Sequence, residues 1–545
     1  MSTNPGPFRF HGGLHLDDHK SESLTGEIVA SSLPAQLVLR VSQHIGEPNK
    51  PLVKAGDRVS RYQPLATSNE AVSAPLHSPV DGSVVAIEPR PIAHPSGHDD
   101  LCIVIEPDAQ QVTAESGGNS SSEPNDLLDI IRQAGIVGLG GAVFPTAAKL
   151  QTALEHGIRT LIINGAECEP YITCDHQLMN SEAPSIVRGI AILQQILQPE
   201  ETLIGIEDNK ASALPAMQQA LDAAQLANTR IVTIPSVYPS GGEKQLIRIL
   251  TGHEIASGSL AFADGFLTQN VGTCAALTDA VDLARPLVDR VVTVTGPGVR
   301  QPGNWRVPLG TPISHLVEQA GGYAVDQPRL IMGGPMMGLP LDSDAIPVVK
   351  ATNCILVLDR KDQPKVAECV RCSQCAEVCP AQLLPQQLYW HSRARQFDLA
   401  EQYHLFDCIE CGCCSAVCPS HLPLVQFYRY AKSEIWEQRR KAYKSDRSRR
   451  RHEFREARIA RQKALDEERR RQKREALAKK KKAPKKVKSE VDPKAAAVQA
   501  ALERVKARKQ EQQVVPKNTD NLSAEQQRQI EAAEQRRNRE RQDKP

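Results

Sequence analysis

Between residues 27 and 106 the apolar positions come in short runs broken by Pro and Gly, as in Pro51-Leu-Val-Lys-Ala-Gly-Asp57 and Ser78-Pro-Val-Asp-Gly-Ser83. That pattern predicts a small β domain over 1–106. A stretch rich in Ser, Gly, Asn and Glu, 107–125, reads as a linker. From 126 to 289 a helical pattern, Asp126-Leu-Leu-Asp-Ile-Ile-Arg132, gives way to buried-strand runs: Thr160-Leu-Ile-Ile-Asn164, Thr202-Leu-Ile-Gly-Ile-Glu207 and Arg230-Ile-Val-Thr-Ile-Pro235. The alternation predicts an α/β domain around a mainly parallel sheet. Residues 290–345 return to β character, opening with Arg290-Val-Val-Thr-Val-Thr-Gly296 and enclosing one short helix, 312–320. A cysteine-rich segment occupies 364–432, with a helix-compatible stretch at 383–403. From 433 to 545 the chain is Glu, Arg, Lys, Gln and Ala with almost no core-forming positions, which predicts a disordered or solvated helical tail.

Composition sharpens this division. The 545 residues suffice for about three or four domains. With 40% hydrophobic, 4% aromatic and 24% charged residues and a mean hydropathy of −0.37, the chain reads as a soluble globular protein diluted by a polar tail. Residues 431–545 hold 37 Lys and Arg against 19 Asp and Glu, whereas the rest holds 29 against 45. The net charge of +2 therefore hides an acidic body and a basic tail. Interspersed acids and missing aromatics argue against nucleic acid as the tail's partner, whereas Lys479-Lys-Lys-Lys482 and Lys485-Lys486 would be drawn to an anionic membrane surface. No run of eighteen apolar residues occurs, and the first residues have neither the charged start nor the apolar core of a secretion signal. The expectation is a cytosolic protein that sits on a membrane at most.

Nine of the fourteen cysteines fall within 369–418. Cys369-x-x-Cys372-x-x-Cys375-x-x-x-Cys379-Pro380 is repeated as Cys408-x-x-Cys411-x-x-Cys414-x-x-x-Cys418-Pro419, the bacterial ferredoxin run written twice. Three thiolates spaced by two residues wrap three iron corners of a cubane, and the proline after the fourth turns the chain away. Paired zinc knuckles need no such triplet and no trailing Cys-Pro. In two-cluster proteins the fourth cysteine of each run ligates the other cluster. This assigns Cys369, Cys372, Cys375 and Cys418 to one [4Fe–4S] cluster and Cys408, Cys411, Cys414 and Cys379 to the second, in a mostly helical ferredoxin domain. Cys413 matches no ligand position, and Cys102, Cys274 and Cys354 read as small buried residues.

The segment Gly135-Ile-Val-Gly138-Leu-Gly140-Gly141-Ala-Val-Phe144-Pro145-Thr146-Ala-Ala-Lys149 follows a predicted helix rather than a strand, and its G-x-G-x-x-G frame fails at Val143. It is not the dinucleotide fingerprint. Taken alone it is either a tight interhelical turn or a loop whose amides approach a phosphate, with a helix start and Lys149 beside it.

Three further segments decide between these. Together with Asn164-Gly-Ala-Glu167-Cys-Glu169-Pro170, Gly241-Gly242-Glu243-Lys244 and Gln269-Asn270-Val271-Gly272-Thr273, the glycine segment resembles the flavoprotein that receives NADH in respiratory complex I, where it cradles FMN. The longer variants Asn164-Gly-Ala-Glu-Cys-Glu-Pro-Tyr-Ile-Thr-Cys-Asp-His176 and Gly241-Gly-Glu-Lys-Gln-Leu246 resemble the RnfC (or RsxC) family of subunits of Rnf-type ion-translocating oxidoreductase complexes. The phrase V-K-x-G-D-x-V followed by S-P-x-x-G-x-V resembles a lipoyl/biotinyl barrel-sandwich hybrid. No carrier lysine stands at its hairpin tip, so a structural or docking role is expected.

The fold class these readings imply is multidomain α/β. It comprises a lipoyl-like barrel-sandwich hybrid, a Rossmann-like α/β flavin domain, a β-grasp-like module of the SLBB kind, a two-cluster ferredoxin domain and a charged tail. The resemblance implies that Gly138, Gly140, Gly141 and Lys149 hold the flavin phosphate side. It further implies that Asn164, Glu167, Asn270 and Thr273 line FMN, that Gly242 and Glu243 sit near it, and that Phe144 stacks on a nicotinamide. Val143 and Lys244 depart from the family pattern, replacing a glycine and an NADH-facing acid. The implied protein is a peripheral subunit on the cytoplasmic face of a bacterial inner membrane, with NADH as substrate and FMN and two [4Fe–4S] clusters as cofactors. Its implied partners are the other complex subunits, especially an iron–sulfur subunit, and soluble ferredoxin when electrons run in reverse. The alternative is an iron–sulfur relay with a vestigial flavin site.

Overall fold

The computed structural model describes residues 7–24, 26–94, 97–111, 123–362, 365–481 and 497–505. The site is organised by a four-stranded parallel sheet. Leu161, Ile162 and Ile163 are fully buried, as are Leu203, Ile204 and Ile206 in the next strand, because a parallel sheet covered on both faces has no polar side to alternate with. The three expected strands are present as Thr160–Gly165, Glu201–Glu207 and Thr229–Ile234, and Phe266–Asn270 completes the sheet. Their spatial order is Thr229–Ile234, Glu201–Glu207, Thr160–Gly165, Phe266–Asn270. The chain thus steps outward twice and then crosses back to the far side of its first strand. The reversal falls where Asn164 pairs with Asn270. In open α/β sheets the ligand crevice lies outside the carboxyl ends at such a switch point.

The N-terminal β region forms two small antiparallel sheets, with Leu37, Leu39, Leu65, Leu76, Ile103 and Ile105 in the shared core. The turn between Pro64–Thr67 and Leu76–His77 reads Ser68-Asn-Glu-Ala-Val-Ser73, without lysine. Its outgoing arm packs on the parallel-sheet domain: Ala74 joins that core. Gly135, at φ +66°, lies so close to the Pro75 carbonyl that a Cβ would come within 2.3 Å.

Lys350 locks this junction. It is buried, its Nζ donates to the Pro75 carbonyl at 3.0 Å and the Gly135 carbonyl at 2.6 Å, and its N–H donates to Gln43 Oε1 at 2.8 Å. Burial pulls its ammonium down to about 7. An unfolded lysine keeps its proton to roughly pH 10, so between about 7 and 10 the unfolded chain binds more protons and stability rises with pH. The barrel–flavin junction should therefore resist urea better at pH 9 than at pH 7, followed by hydrogen exchange of residues 74–76 and 134–136. In Lys350→Met that pH dependence should disappear.

The third sheet holds Val29–Ala30, Gly303–Pro308, Asp289–Thr295, Cys354–Asp359, Pro328–Met332 and Leu339–Leu341 in that order. It extends past the expected end at 345. Cys354–Asp359 lies in its middle, parallel to Asp289–Thr295 and antiparallel to Pro328–Met332, with Cys354, Ile355, Leu356 and Val357 fully buried. The expected helix is present as Ile313–Gln319.

The cysteine segment is built of short helices, Gln374–Glu377, Pro385–Arg393, Phe397–Gln402 and Cys413–Ala416, as the stretch at 383–403 predicted. The tail does not begin at 433. A helix, Leu424–Lys481, starts inside the cysteine domain and buries Leu424, Val425, Tyr428, Ala431 and Ile435 along one face. The compact unit runs to Tyr443. In the second unit, from Lys444, the helix is solvated and carries pairs such as Arg449 with Asp446 and Arg471 with Glu475, each worth about 0.2–0.5 kcal/mol. Residues 112–122 of the expected linker, together with Lys482, Lys485 and Lys486, lie outside the described residues. No described helix is long and apolar enough to cross a membrane.

Candidate electron-transfer site

The two cysteine runs fold alike. Arg371 and Glu410, Ser373 and Gly412, and Gln382 and His421 occupy matching places in the two runs, and all six have positive φ. These left-handed kinks curl each run around a cavity. Cys408, Cys411 and Cys414 line one cavity together with Cys379 of the other run. Cys369, Cys372 and Cys375 line the second with Cys418. Each cavity therefore gathers three thiols from one run and the fourth from its twin. The first is the inner one: Cys379, Cys411 and Cys414 are buried, and the wall is otherwise apolar, with Leu388, Val425 and Tyr428. Burial pushes the Cys408 thiol up to about 11, so at neutral pH metal coordination, which deprotonates a thiol outright, is what makes the thiolate. Lys432 Nζ donates to the Cys408 carbonyl at 2.6 Å and brings positive charge near that sulfur. The second cavity opens to solvent at the exposed Cys372. Cys413 is fully buried beside Cys411 and Tyr238, and Cys102, Cys274 and Cys354 are fully buried as expected.

The glycine loop meets the sheet's switch point. Gly138 N–H donates to the Phe144 carbonyl at 2.9 Å, closing the loop, and Leu139 N–H donates to Thr273 Oγ1 at 3.0 Å. Thr273 is fully buried, so it anchors the loop from behind. Gly140 lies against Asn270, and Gly141, at φ +108°, has open space where a Cβ would stand. Val143 sits at φ +45°, a conformation that costs a β-branched residue roughly 1–2 kcal/mol. Asn270 Oδ1 accepts from Gly272 N–H at 2.9 Å and Thr273 N–H at 3.3 Å, capping the helix Val271–Asp282. Its Nδ2 donates to Asp175 Oδ2 at 2.6 Å. Burial raises the Asp175 carboxyl, and Glu167 adds to the rise. Asn164 Nδ2 donates to the Gly241 carbonyl at 2.9 Å, tying the first strand to the Gly241-Gly242 turn that opens the helix Glu243–Thr251. Lys149 Nζ donates to the Thr268 carbonyl at 2.7 Å and pairs with Glu243 Oε1 at 3.2 Å.

Gly138, Gly140, Gly141, Lys149, Asn164, Gly242, Glu243 and Asn270 are thus brought to the carboxyl ends of the strands, with the heads of three helices, Thr146–His156, Glu243–Thr251 and Val271–Asp282, beside them. Two expected lining residues are turned to support. Thr273 holds the loop, and the Glu167 carboxylate accepts from the Asp175 and His176 N–H groups at 2.8 and 3.2 Å, capping the helix Cys174–Ser181. Lys244 Nζ donates to the Ala256 carbonyl at 3.0 Å. Phe144 is half-buried on the loop's outgoing side.

Two groups here carry no sequence signal of their own. Glu207 and Lys210 form a fully buried ion pair, and Glu207 accepts from Ser240 Oγ at 3.0 Å and from Glu167 N–H at 2.9 Å, joining the two loops beneath the crevice. The crevice suits a phosphorylated ligand on its own terms. Among the described residues, the Thr146 and Thr268 hydroxyls are buried without a partner, and open space lies over Gly141. The cysteine cavities, with four thiols each, suit iron–sulfur cubanes.

Comparison with known proteins agrees. An ion-translocating oxidoreductase complex subunit of the RnfC type, from Yersinia pestis bv. Antiqua, is 45% identical over 465 residues, covering 84% of this chain and 74% of that one. The chain belongs to the RnfC family of ion-translocating oxidoreductase complex subunits. The corresponding subunit of Pectobacterium atrosepticum is 44% identical, covering 91% of this chain and 70% of that one. That of Vibrio cholerae serotype O1 is 47% identical over 508 residues, covering 92% of this chain. The present chain spans 64% of the length of the Vibrio relative. Residues 8–110 match the RnfC barrel sandwich hybrid domain, 131–279 the Nuo51 FMN-binding domain, 291–340 the SLBB domain and 368–422 the 4Fe-4S dicluster domain. A NAD+-reducing nickel–iron hydrogenase in the H2-reduced state aligns over 57% of this chain and 61% of its own, at 19% identity and a TM-score of 0.40. FMN and iron–sulfur clusters are the cofactors of this RnfC-family chain.

Proposed function

We propose that this chain is the peripheral electron-input subunit of a membrane-bound, ion-translocating complex, taking electrons from NADH at the switch-point crevice and passing them through the inner and then the outer cysteine cavity. The arrangement that carries this reading is the position of the two four-thiol cavities. The inner one packs against the crevice domain through Tyr238, and the outer one opens to solvent. FMN, when bound, supplies the conversion between a two-electron nicotinamide and one-electron clusters. In this reading the amides of Gly138, Gly140 and Gly141 and the head of the helix Thr146–His156 hold the phosphate, with Lys149 adding charge. Asn164, Gly242 and Asn270 border the ring system, with Glu167 and Thr273 fixing the loops behind it. Phe144, Glu243 and Lys244 belong to the nicotinamide side. Cys379, Cys408, Cys411 and Cys414 hold the inner cluster; Cys369, Cys372, Cys375 and Cys418 hold the outer one, which faces an iron–sulfur subunit or a soluble ferredoxin. The solvated helix over 444–481, with 17 Lys and Arg against 7 Asp and Glu, is drawn to the anionic cytoplasmic face of the inner membrane.

A second reading, a relay in which the nicotinamide site is lost, is favoured by the Lys149–Glu243 pair and by Val143 at φ +45°. Anaerobic stopped-flow mixing of the FMN-loaded, iron-reconstituted chain with NADH separates the two. The dehydrogenase reading expects flavin absorbance to bleach before the clusters do. Retention of FMN with no bleaching by NADH, while reduced ferredoxin reduces the chain, would replace it with the relay.

A further inference from the structure

We propose that Tyr238 is a positioning residue that couples the flavin crevice to the inner cluster, and that the N-terminal arm, residues 7–24, is the strap that holds it there. Tyr238 is 3% exposed, and its hydroxyl donates to the main-chain carbonyl of Cys411, an inner-cavity cysteine. The same turn, 238–242, ends at the crevice: Gly242 N–H donates to the Pro239 carbonyl at 3.0 Å, and the Gly241 carbonyl accepts from Asn164. A single five-residue turn thus touches the cluster shell at one end and the crevice at the other. Glu207, through Ser240, stiffens its middle.

The arm closes the junction from outside. Leu14 and Tyr238 exchange both backbone hydrogen bonds at 2.8 Å, and Gly13 N–H donates to the carbonyl of Val378 at 3.0 Å, one residue before Cys379. The fit is tight at Gly12, which has φ +69° and where a Cβ would stand 2.6 Å from the Val378 carbonyl oxygen. Leu14, Leu16, Cys168, Met336, Val378 and Ile409 pack around Tyr238, Cys411 and Cys413 and exclude water. The arm therefore grips the crevice turn with one edge and the inner-cluster run with the other. Electron transfer slows steeply as its two centres separate, so a contact that fixes both loops fixes the rate. The hydroxyl also places a donor on a ligand residue's peptide, and hydrogen bonding around the cluster is one of the levers on its potential.

The proposal rests on the electron route given above, and its test is chosen to stand apart from NADH. Tyr238→Phe keeps the ring and removes the hydroxyl alone. In the reconstituted full chain, iron and FMN content should be unchanged. EPR-monitored potentiometry with dithionite should show the inner cluster's midpoint shifted downward and the outer cluster's unmoved. Gly12→Val, which wedges the strap, should leave both midpoints in place but slow cluster reduction by photoreduced flavin several-fold. An unshifted inner midpoint in Tyr238→Phe, or an equal shift of both clusters, would overturn the role of Tyr238. Wild-type transfer rates in Gly12→Val would overturn the strap. Because neither measurement uses NADH, both remain readable in a chain that fails to oxidise NADH.

Discussion

Cys379→Ser is expected to remove the inner cluster although Cys379 belongs to the first run, leaving about four irons of about eight in the reconstituted chain. The reason is spatial: Cys379 lines the cavity of Cys408, Cys411 and Cys414. The mirror change, Cys418→Ser, should remove the cluster of Cys369, Cys372 and Cys375. The two losses should differ in their structural cost. Cys379 and Cys414 are part of the core that includes Leu383, Leu388, Leu424 and Tyr428, so losing the inner cluster unseats the first turns of the helix Leu424–Lys481. The outer cavity lies at the surface, and its loss should leave the melting profile nearly unchanged. Because cluster binding is coupled to folding of the ligand loops, Cys379→Ser should lower the melting temperature of this region, read by hydrogen exchange across 424–435. Iron and sulfide analysis with EPR of each variant checks the assignment. Stoichiometric zinc in the wild type, or loss of the first run's cluster in Cys379→Ser, would refute it.

What is legible without the structure is whatever a local pattern specifies. The runs Leu161-Ile-Ile163 and Leu203-Ile-Gly-Ile206 announce buried parallel strands because such strands lack a polar face. The repeated cysteine spacing announces cubane ligation because the metal geometry dictates it. The missed features are those set by distant partners. Cys354–Asp359 falls outside the β-rich module expected over 290–345 because nothing in its own composition says that it slots between Asp289–Thr295 and Pro328–Met332. The expected start of the tail at 433 follows a change in composition, while packing is decided earlier, by Leu424, Tyr428 and Ala431. At the crevice the resemblance supplies residue positions and not side-chain directions. Thr273 and Glu167 turn into the supporting structure, and Lys149 and Glu243, 94 residues apart, meet as a pair. Nor does any motif announce that residues 7–24 pass between the crevice turn and the cluster loop, since the arm's role depends wholly on what it touches.

Gly140→Val should weaken FMN binding by at least about tenfold, roughly 1.4 kcal/mol, without disturbing the clusters. Gly140 is the cleaner probe of the loop than its neighbour. Gly141 has φ +108°, so any side chain there strains the backbone whatever the space around it. At Gly140 a new Cβ meets the Asn270 side chain at 3.5 Å, an ordinary contact, so the loop itself tolerates the change. Lost affinity then reports ligand approach rather than a collapsed loop. Gly140→Ala should give an intermediate loss, and near-equal affinity in all three chains would remove the loop from the site. The charge beside it requires a cycle, because Lys149 and Glu243 share one contact and are 28% and 46% exposed. Lys149→Met removes a cation from the phosphate side and also leaves Glu243 unpaired there, so it should weaken FMN more than Glu243→Gln does. Glu243→Gln frees Lys149 for the phosphate and should hold FMN at least as tightly as the wild type, while slowing bleaching by NADH. If the two residues act through their pairing, the double variant should bind FMN better than the sum of the single losses predicts. Simple additivity in fluorescence titrations of FMN would mean that the pair opens whenever the ligand binds.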